Sequence, residues 1–184
     1  ELLQWLADDF VAHGCDLRHT LRTIARSEAY QRSSSPTAGN ALDDRYYSRY
    51  LPVRLEAEVL ADAVADVTGV PFVYGAHPPG TRAISLIDPQ MPAPSLDALG
   101  RCGRDGSCEE AATAGGVSVK LHLLNGPFLN AALTDENGRL RRLLSSAASD
   151  SDIIEEFYFR ALARLPSDEE RSFWRAEFNA AGND

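Results

Sequence analysis

The sequence has few positively charged residues for its size. It contains 18 lysines and arginines against 27 aspartates and glutamates, which gives a formal net charge of -9 over 184 residues. Nucleic acids and anionic membrane surfaces both favour clustered lysine and arginine. The charge balance therefore argues against either of them as a partner.

Long apolar runs are also missing. No run approaches the roughly 20 residues that a membrane-spanning helix needs, so we expect no membrane insertion. The opening stretch, ELLQWLADDF, has neither a methionine nor a basic leader and begins directly with a helical pattern. We expect the chain to be a C-terminal fragment of a larger multidomain protein, with residues 1–184 forming a single domain.

Motifs for catalysis and metal binding are scarce. The histidines, at positions 13, 19, 77 and 122, lie in no HExxH or nucleophile motif, and neither CxxC nor CxxCH occurs. We therefore predict no catalytic residue, no metal ligand and no haem within this fragment. The row Arg18, Arg22 and Arg26 is expected to pair with acids such as Asp8 and Asp9.

Two of the three cysteines flank a short loop that contains glycine. Cys102 and Cys108 lie in LGRCGRDGSCEE, where a local disulfide is favoured over a structural zinc site, and disulfides persist mainly outside the reducing cytosol. Closing so small a loop restricts the unfolded chain by only roughly 2 kcal/mol, so the bond would stiffen the loop rather than stabilise the domain. We interpret Cys15 as a small buried apolar residue.

Helical periodicity dominates both ends of the chain. Apolar residues predict a helix that stops at Gly14 and a second one, capped by Asp16, that buries Leu17, Leu21 and Ile24. A third helix follows Pro52, with a stripe through Leu55, Val59, Ala63 and Val67, and stops at Gly69. More helices are predicted beyond Gly116, and the last has Ser167 and Glu170 as a capping box and an apolar face of Phe173, Trp174 and Phe178.

Residues 70–116 have a different texture, because prolines and glycines exclude long helices there. FVYG and RAISLI within this region are compatible with a minor β-hairpin. The fold class that we predict is therefore all-α, an irregular helical domain with one long ordered loop region.

The best candidates for ligand contacts are arginines and tyrosines near the third helix. DDRYYSRYLPVRLEAE brings together Arg45, Arg49, Arg54, Tyr46 and Tyr50. Such clusters stack well and bind carboxylates through two hydrogen bonds, so the segment is either an anion or sugar site or a buried polar network. Arg82 and His122 are two further candidates, the first as part of the same network.

Six blocks of sequence, in this order, carry a family resemblance: ELLQWLADDFVAHGCDLRHTLRTIARSEAYQRSS, RYLPVRLEAEVLADAVADVTGVP, PPGTRAISLID, LGRCGRDGSCEEAA, LHLLNGPFLN and FYFRALARLPSDEE. Together they resemble the domain of unknown function 1553, the C-terminal domain of planctomycete-type multidomain proteins that often carry a cytochrome c module. The resemblance implies an exported protein, periplasmic or at the cell surface, and haem c on an upstream domain of the parent.

The absence of motifs and the resemblance together favour a noncatalytic helical accessory module. Its expected partners are the upstream domains of the same chain and an extracellular glycan. Two alternatives stay open. One is a hydrolase domain acting on carbohydrate or a sulfated polymer, which would require an acid of raised pKa beside the arginines; the other is a docking surface for an attached cytochrome c.

Overall fold

The computed structural model describes residues 1–88, 91–101 and 116–181. The regular secondary structure in these ranges is helical, without any β-strand, which confirms the all-α class. The helices are α1 (Leu2–Ala12), α2 (Leu17–Arg26), α3 (Ala57–Thr68), α4 (Pro94–Ala98), α5 (Gly116–Asn125), α6 (Pro127–Thr134), α7 (Arg139–Ser145), α8 (Asp150–Leu162) and α9 (Asp168–Ala181), with a 3₁₀ turn at Ala83–Ser85. None of these helices is long and apolar enough to cross a bilayer.

The chain divides into two compact units, Glu1–Arg54 and Leu55–Asp184; that all 184 residues form one domain stays a prediction. In the first unit, α1 and α2 pack against each other as a hairpin. The chain reverses through Gly14 and Cys15, whose φ angles are +68° and +59°. The Asp16 carboxylate then accepts a hydrogen bond from the backbone N–H of Arg18 at 2.8 Å, which confirms the predicted cap of α2.

The burial predicted for the first unit is wrong. Leu17, Leu21 and Ile24 are exposed rather than buried, and Cys15 is exposed as well. The half-buried face of α2 carries His19 instead, which pairs with Asp9 on α1. The α1–α2 contact is therefore partly polar, and no residue between 1 and 54 is fully buried.

Helix α3 is the centre of the second unit. It contacts the 3₁₀ turn, α4, α6, α7 and α8. Its buried residues are Ala57, Ala61, Asp62 and Thr68, so the stripe predicted through Leu55 and Val59 is displaced. Small alanine side chains let neighbouring elements approach the helix axis closely. The core around α3 is completed by Tyr74, Ala83, Ala93, Leu96, Leu99 and Val119.

Helix ends follow the sequence signals closely. Gly69 ends α3 in the left-handed conformation, with φ +72°, where a side chain would strain the backbone. At the start of α9, the Glu170 carboxylate accepts the N–H of Ser167 at 2.8 Å, and the Ser167 hydroxyl accepts the N–H of Glu170 at 3.2 Å. Both predicted ends are confirmed.

One expectation for the second unit is corrected, and one predicted surface is exposed. The predicted apolar face of α9, formed by Phe173, Trp174 and Phe178, is open to solvent. The segments FVYG and RAISLI form no strand. The N–H groups of Ala83 and Ile84 donate to a carboxylate of α3, so they cannot donate to a neighbouring strand. The described part of the loop region also contains α4, whose Leu96 lies in the core.

Candidate functional site

The second unit contains a cleft of about 320 Å³ beside α3. One wall is the C-terminal half of α3, and the opposite wall is the loop that precedes the 3₁₀ turn. Charged, aromatic and small residues share the lining: Asp62, Ala65, Asp66, Gly69, Pro71, Phe72, Tyr74, Gly80, Thr81, Arg82 and Arg139.

Arg82 and two aspartates of α3 form the charged centre of this cleft. The guanidinium of Arg82 donates through Nε to Asp62 at 3.3 Å and through Nη1 and Nη2 to the two carboxylate oxygens of Asp66, at 3.1 and 2.9 Å. The hydrogen bonds to Asp66, followed by the charge of Asp62, raise the pKa of Arg82. Both carboxylates are therefore paired with a permanent cation.

Asp62 is the buried member of the three. Its carboxylate also accepts the backbone N–H of Ala83 at 2.7 Å and that of Ile84 at 3.3 Å. Two backbone donors and a guanidinium supply the hydrogen bonds that a buried carboxylate needs. Asp62 thus fixes the 3₁₀ turn against α3 and places Arg82 at the cleft.

Arg139 joins the end of α3 to α8 at the same cleft. Its guanidinium donates to the carbonyl oxygens of Val67 at 2.8 Å and Asp66 at 3.0 Å, and to the Glu156 carboxylate at 2.8 Å. The carbonyl groups in the last turn of a helix have no partner within the helix. Arg139 is such a partner for the carbonyl groups of Asp66 and Val67.

Tyr74 is a buried phenol on the cleft wall. Burial, followed by the negative charges of Asp62 and Glu58, raises the pKa of Tyr74 to about 12. Its hydroxyl makes no hydrogen bond to the described part of the chain. At neutral pH the hydroxyl stays protonated, so its chemistry is that of a hydrogen-bond donor.

The predicted arginine and tyrosine cluster lies mainly in a surface loop of the first unit. Tyr46 is 79% exposed, with the Arg45 guanidinium 5.9 Å from its ring centroid, and Tyr50 is partly exposed too. Asp43 organises the loop, and hydrogen bonds from Ser48 and then from the backbone of Tyr46 lower the pKa of Asp43. The exposure does not fit the alternative of a buried network.

The remaining candidates are dispersed. Arg49 has a buried Nε with no hydrogen-bond partner in the described ranges, whereas Arg54 has polar partners. Arg82 lies in the second unit on the cleft. His122 is half-buried on α5, with its ring 6.4 Å from that of Phe128. A ligand role for any of these residues stays a prediction.

A second polar cluster lies in the α1–α2 hairpin of the first unit. Asp9 contacts His13 Nδ1 through one carboxylate oxygen at 3.2 Å and His19 Nε2 through the other at 3.1 Å. The two imidazole rings stack with centroids 3.7 Å apart and planes 15° apart. A nitrogen from each ring and a carboxylate oxygen lie within 4.8 Å of one another.

Sequence reasoning missed both clusters. Asp62 and Asp66 were not among the candidate residues, and Asp9 was expected to pair with arginines. Arg18, Arg22 and Arg26 form no ion pair with any described residue. Two features of the sequence could have indicated them. Asp62 lies between alanines at 61 and 63, and Asp9 and His13 have the i, i+4 spacing that brings side chains together along a helix. Cys102 and Cys108 lie outside the described residues.

The six blocks of resemblance agree with a comparison against protein-family models. The model described as PSD1, protein of unknown function (DUF1553), matches residues 1–177. The chain belongs to the DUF1553 family. Neither the curated proteins nor the solved structures contain a significant match to this DUF1553 chain. The family match spans both compact units, so the cleft and the hairpin cluster both lie within the DUF1553 region.

Proposed function

We propose that this DUF1553 chain is a noncatalytic helical module of an exported multidomain protein and that its cleft binds an extracellular glycan. The pairing of charges within the cleft supports the noncatalytic part. Hydrolysis of a glycosidic bond needs a carboxyl group of raised pKa as the acid. Asp62 and Asp66 are instead both held in ion pairs with Arg82, so neither is the unpaired acid that the hydrolase alternative requires.

Arg82 is the residue that supports ligand binding most directly. A guanidinium has five N–H donors, and three of them are used by Asp62 and Asp66. Two donors, five minus three, are therefore available at the cleft, and the Arg82 side chain is 52% exposed. Phe72, which is half-buried, adds aromatic surface to the same lining. Donors beside aromatic rings suit the hydroxyl groups and apolar faces of a sugar.

The charge of the cleft favours a neutral sugar over a sulfated polymer. Arg82 faces two aspartates, and Arg139 is paired with Glu156. The cleft thus has no excess positive charge with which to attract sulfate groups. For the alternative of a docking surface for an attached cytochrome c, the described residues offer no observation like the free donors of Arg82.

A glycan-array screen of the full chain tests this proposal. We expect binding that Arg82→Lys weakens by about tenfold, since lysine keeps the charge but loses the planar set of donors. Arg175→Lys, at an exposed arginine of α9, should leave binding unchanged. Thermal melts of both variants establish that they fold.

Three results would overturn the proposal. They are the absence of glycan binding, equal binding by the Arg82→Lys variant, and release of shortened oligosaccharides during incubation. The last of these would favour the hydrolase alternative.

A further inference from the structure

We propose that Asp9, His13 and His19 form a binding site for a divalent transition-metal ion of the zinc type. The three residues converge because α1 and α2 form a tight hairpin. Asp9 and His13 lie one turn apart at the end of α1, and His19 lies in the first turn of α2. The site belongs to the first unit and is independent of the cleft.

Two of the distances between candidate ligand atoms lie near those of a tetrahedral site. Bonds of 2.0–2.2 Å to nitrogen and oxygen place the ligand atoms about 3.3–3.6 Å from one another. One carboxylate oxygen of Asp9 lies 3.2 Å from His13 Nδ1 and the other lies 3.1 Å from His19 Nε2, slightly less than that spacing. The whole ligand set lies within 4.8 Å. Side-chain rotations that bring both nitrogens and one carboxylate oxygen to about 3.3–3.6 Å from one another would enclose an ion.

The chemistry of the donors fits zinc as well. Imidazole nitrogen and carboxylate oxygen are both common zinc ligands, and three protein ligands leave a fourth position for water or a further ligand. The one carboxylate supplies negative charge to the cation. Asp9 is largely shielded from solvent, whereas about half of the His13 side chain is exposed, so an ion can enter from the His13 side.

Binding has to compete with hydrogen bonds within the cluster. His13 Nδ1 lies 2.8 Å from the backbone carbonyl oxygen of Asp9, and the Thr23 hydroxyl lies 3.4 Å from His19 Nε2. An ion bound at these two nitrogens would displace both contacts. The alternative is that the cluster only joins the two helices of the hairpin, and the experiment has to separate these roles.

Zinc titration of the chelator-treated full chain by calorimetry tests the site. We expect one zinc ion per chain and an affinity that falls at least about tenfold in His13→Gln and in His19→Gln, because even residues that merely orient ligands change affinity by that factor. His77→Gln, at an exposed histidine of the second unit, should bind zinc like the unchanged chain. Thr23→Val should also retain binding, because the hydroxyl is not a ligand.

Cobalt(II) in place of zinc gives a second readout, since a four-coordinate site produces strong visible absorption. This absorption should be absent from both histidine variants and present in His77→Gln. Far-UV circular dichroism reports whether the helices survive the substitutions. A chain that binds no zinc, or variants at His13 and His19 that bind it with unchanged affinity while still helical, would overturn the proposal and leave a hydrogen-bonded cluster.

Discussion

At the scale of single residues, Asp62 links the helical core to the loop that forms the cleft. Its carboxylate is buried and accepts hydrogen bonds from Ala83, Ile84 and Arg82. Asp66, one turn later, binds the same arginine but its side chain is 63% exposed. The two aspartates therefore share a partner and differ in burial. Substituting each of them in turn isolates the effect of burial on stability.

We expect Asp62→Ala to destabilise the second unit by about 2–4 kcal/mol, because the buried N–H of Ala83, the partly buried N–H of Ile84 and a guanidinium lose their acceptor. Asp66→Ala, which removes a solvent-exposed ion pair, should cost under about 1 kcal/mol. Urea denaturation of both variants measures the difference. Equal losses of stability would mean that burial of the Asp62 carboxylate has no energetic consequence.

The role of Asp62 could not be predicted from the sequence for a physical reason. Helical periodicity describes which residues of α3 share a face, and it places Asp62 in line with Glu58 and Asp66. The donors that bind Asp62 come from a 3₁₀ turn about twenty residues later. A pattern within one helix contains no information about such partners. Asp9 and His13, by contrast, lie one turn apart at the end of α1 and could have been recognised.

At the scale of elements, the start of α9 shows most clearly how residues close in sequence determine where a helix begins. Ser167 and Glu170 form their capping box, and Arg164 adds two hydrogen bonds to the Glu170 carboxylate, both at 2.7 Å. The hydrogen bonds from Arg164, followed by the backbone N–H of Ser167, lower the pKa of Glu170 from 4.5 to about 2. The ionised carboxylate is thus favoured in the folded chain.

A pKa that is lower in the folded state gives a stabilisation that is present above the unfolded value and is lost as the pH falls through the folded value. We therefore expect Glu170→Gln to lower the Tm at neutral pH, with the difference from the unchanged chain shrinking between pH 4.5 and about 2. Thermal melts across this range measure it. Glu169→Gln, at the exposed neighbour, is the control and should show no such pH dependence.

Helix ends were predictable where helix faces were not. Asp16, Gly69 and Ser167 act on backbone groups within a few residues, so the local sequence determines them. Whether Leu21 or Phe173 is buried depends on which element packs against that face, and both are exposed. Even α3, whose end was predicted correctly, buries its alanines rather than the larger residues of the expected stripe.

At the scale of the whole molecule, burial is unevenly divided between the two units. The buried apolar residues described in the chain all lie in the second unit, where α3 is covered by several elements. The first unit has a helical hairpin and a polar loop but no fully buried side chain. Burial of apolar surface is the main favourable term in folding, so the two units should differ greatly in intrinsic stability.

We expect a fragment of residues 55–184 to unfold cooperatively on heating, because it contains the whole described core. A fragment of residues 1–54, studied without added metal, should show no cooperative transition, since a chain of about 60 residues buries only about 60% of its unfolded surface even when well packed. Calorimetry of the two fragments beside the full chain makes the comparison. A sharp heat-capacity peak from residues 1–54 would show that its half-buried polar contacts, with Asp9 and His19 among them, suffice to form a stable fold.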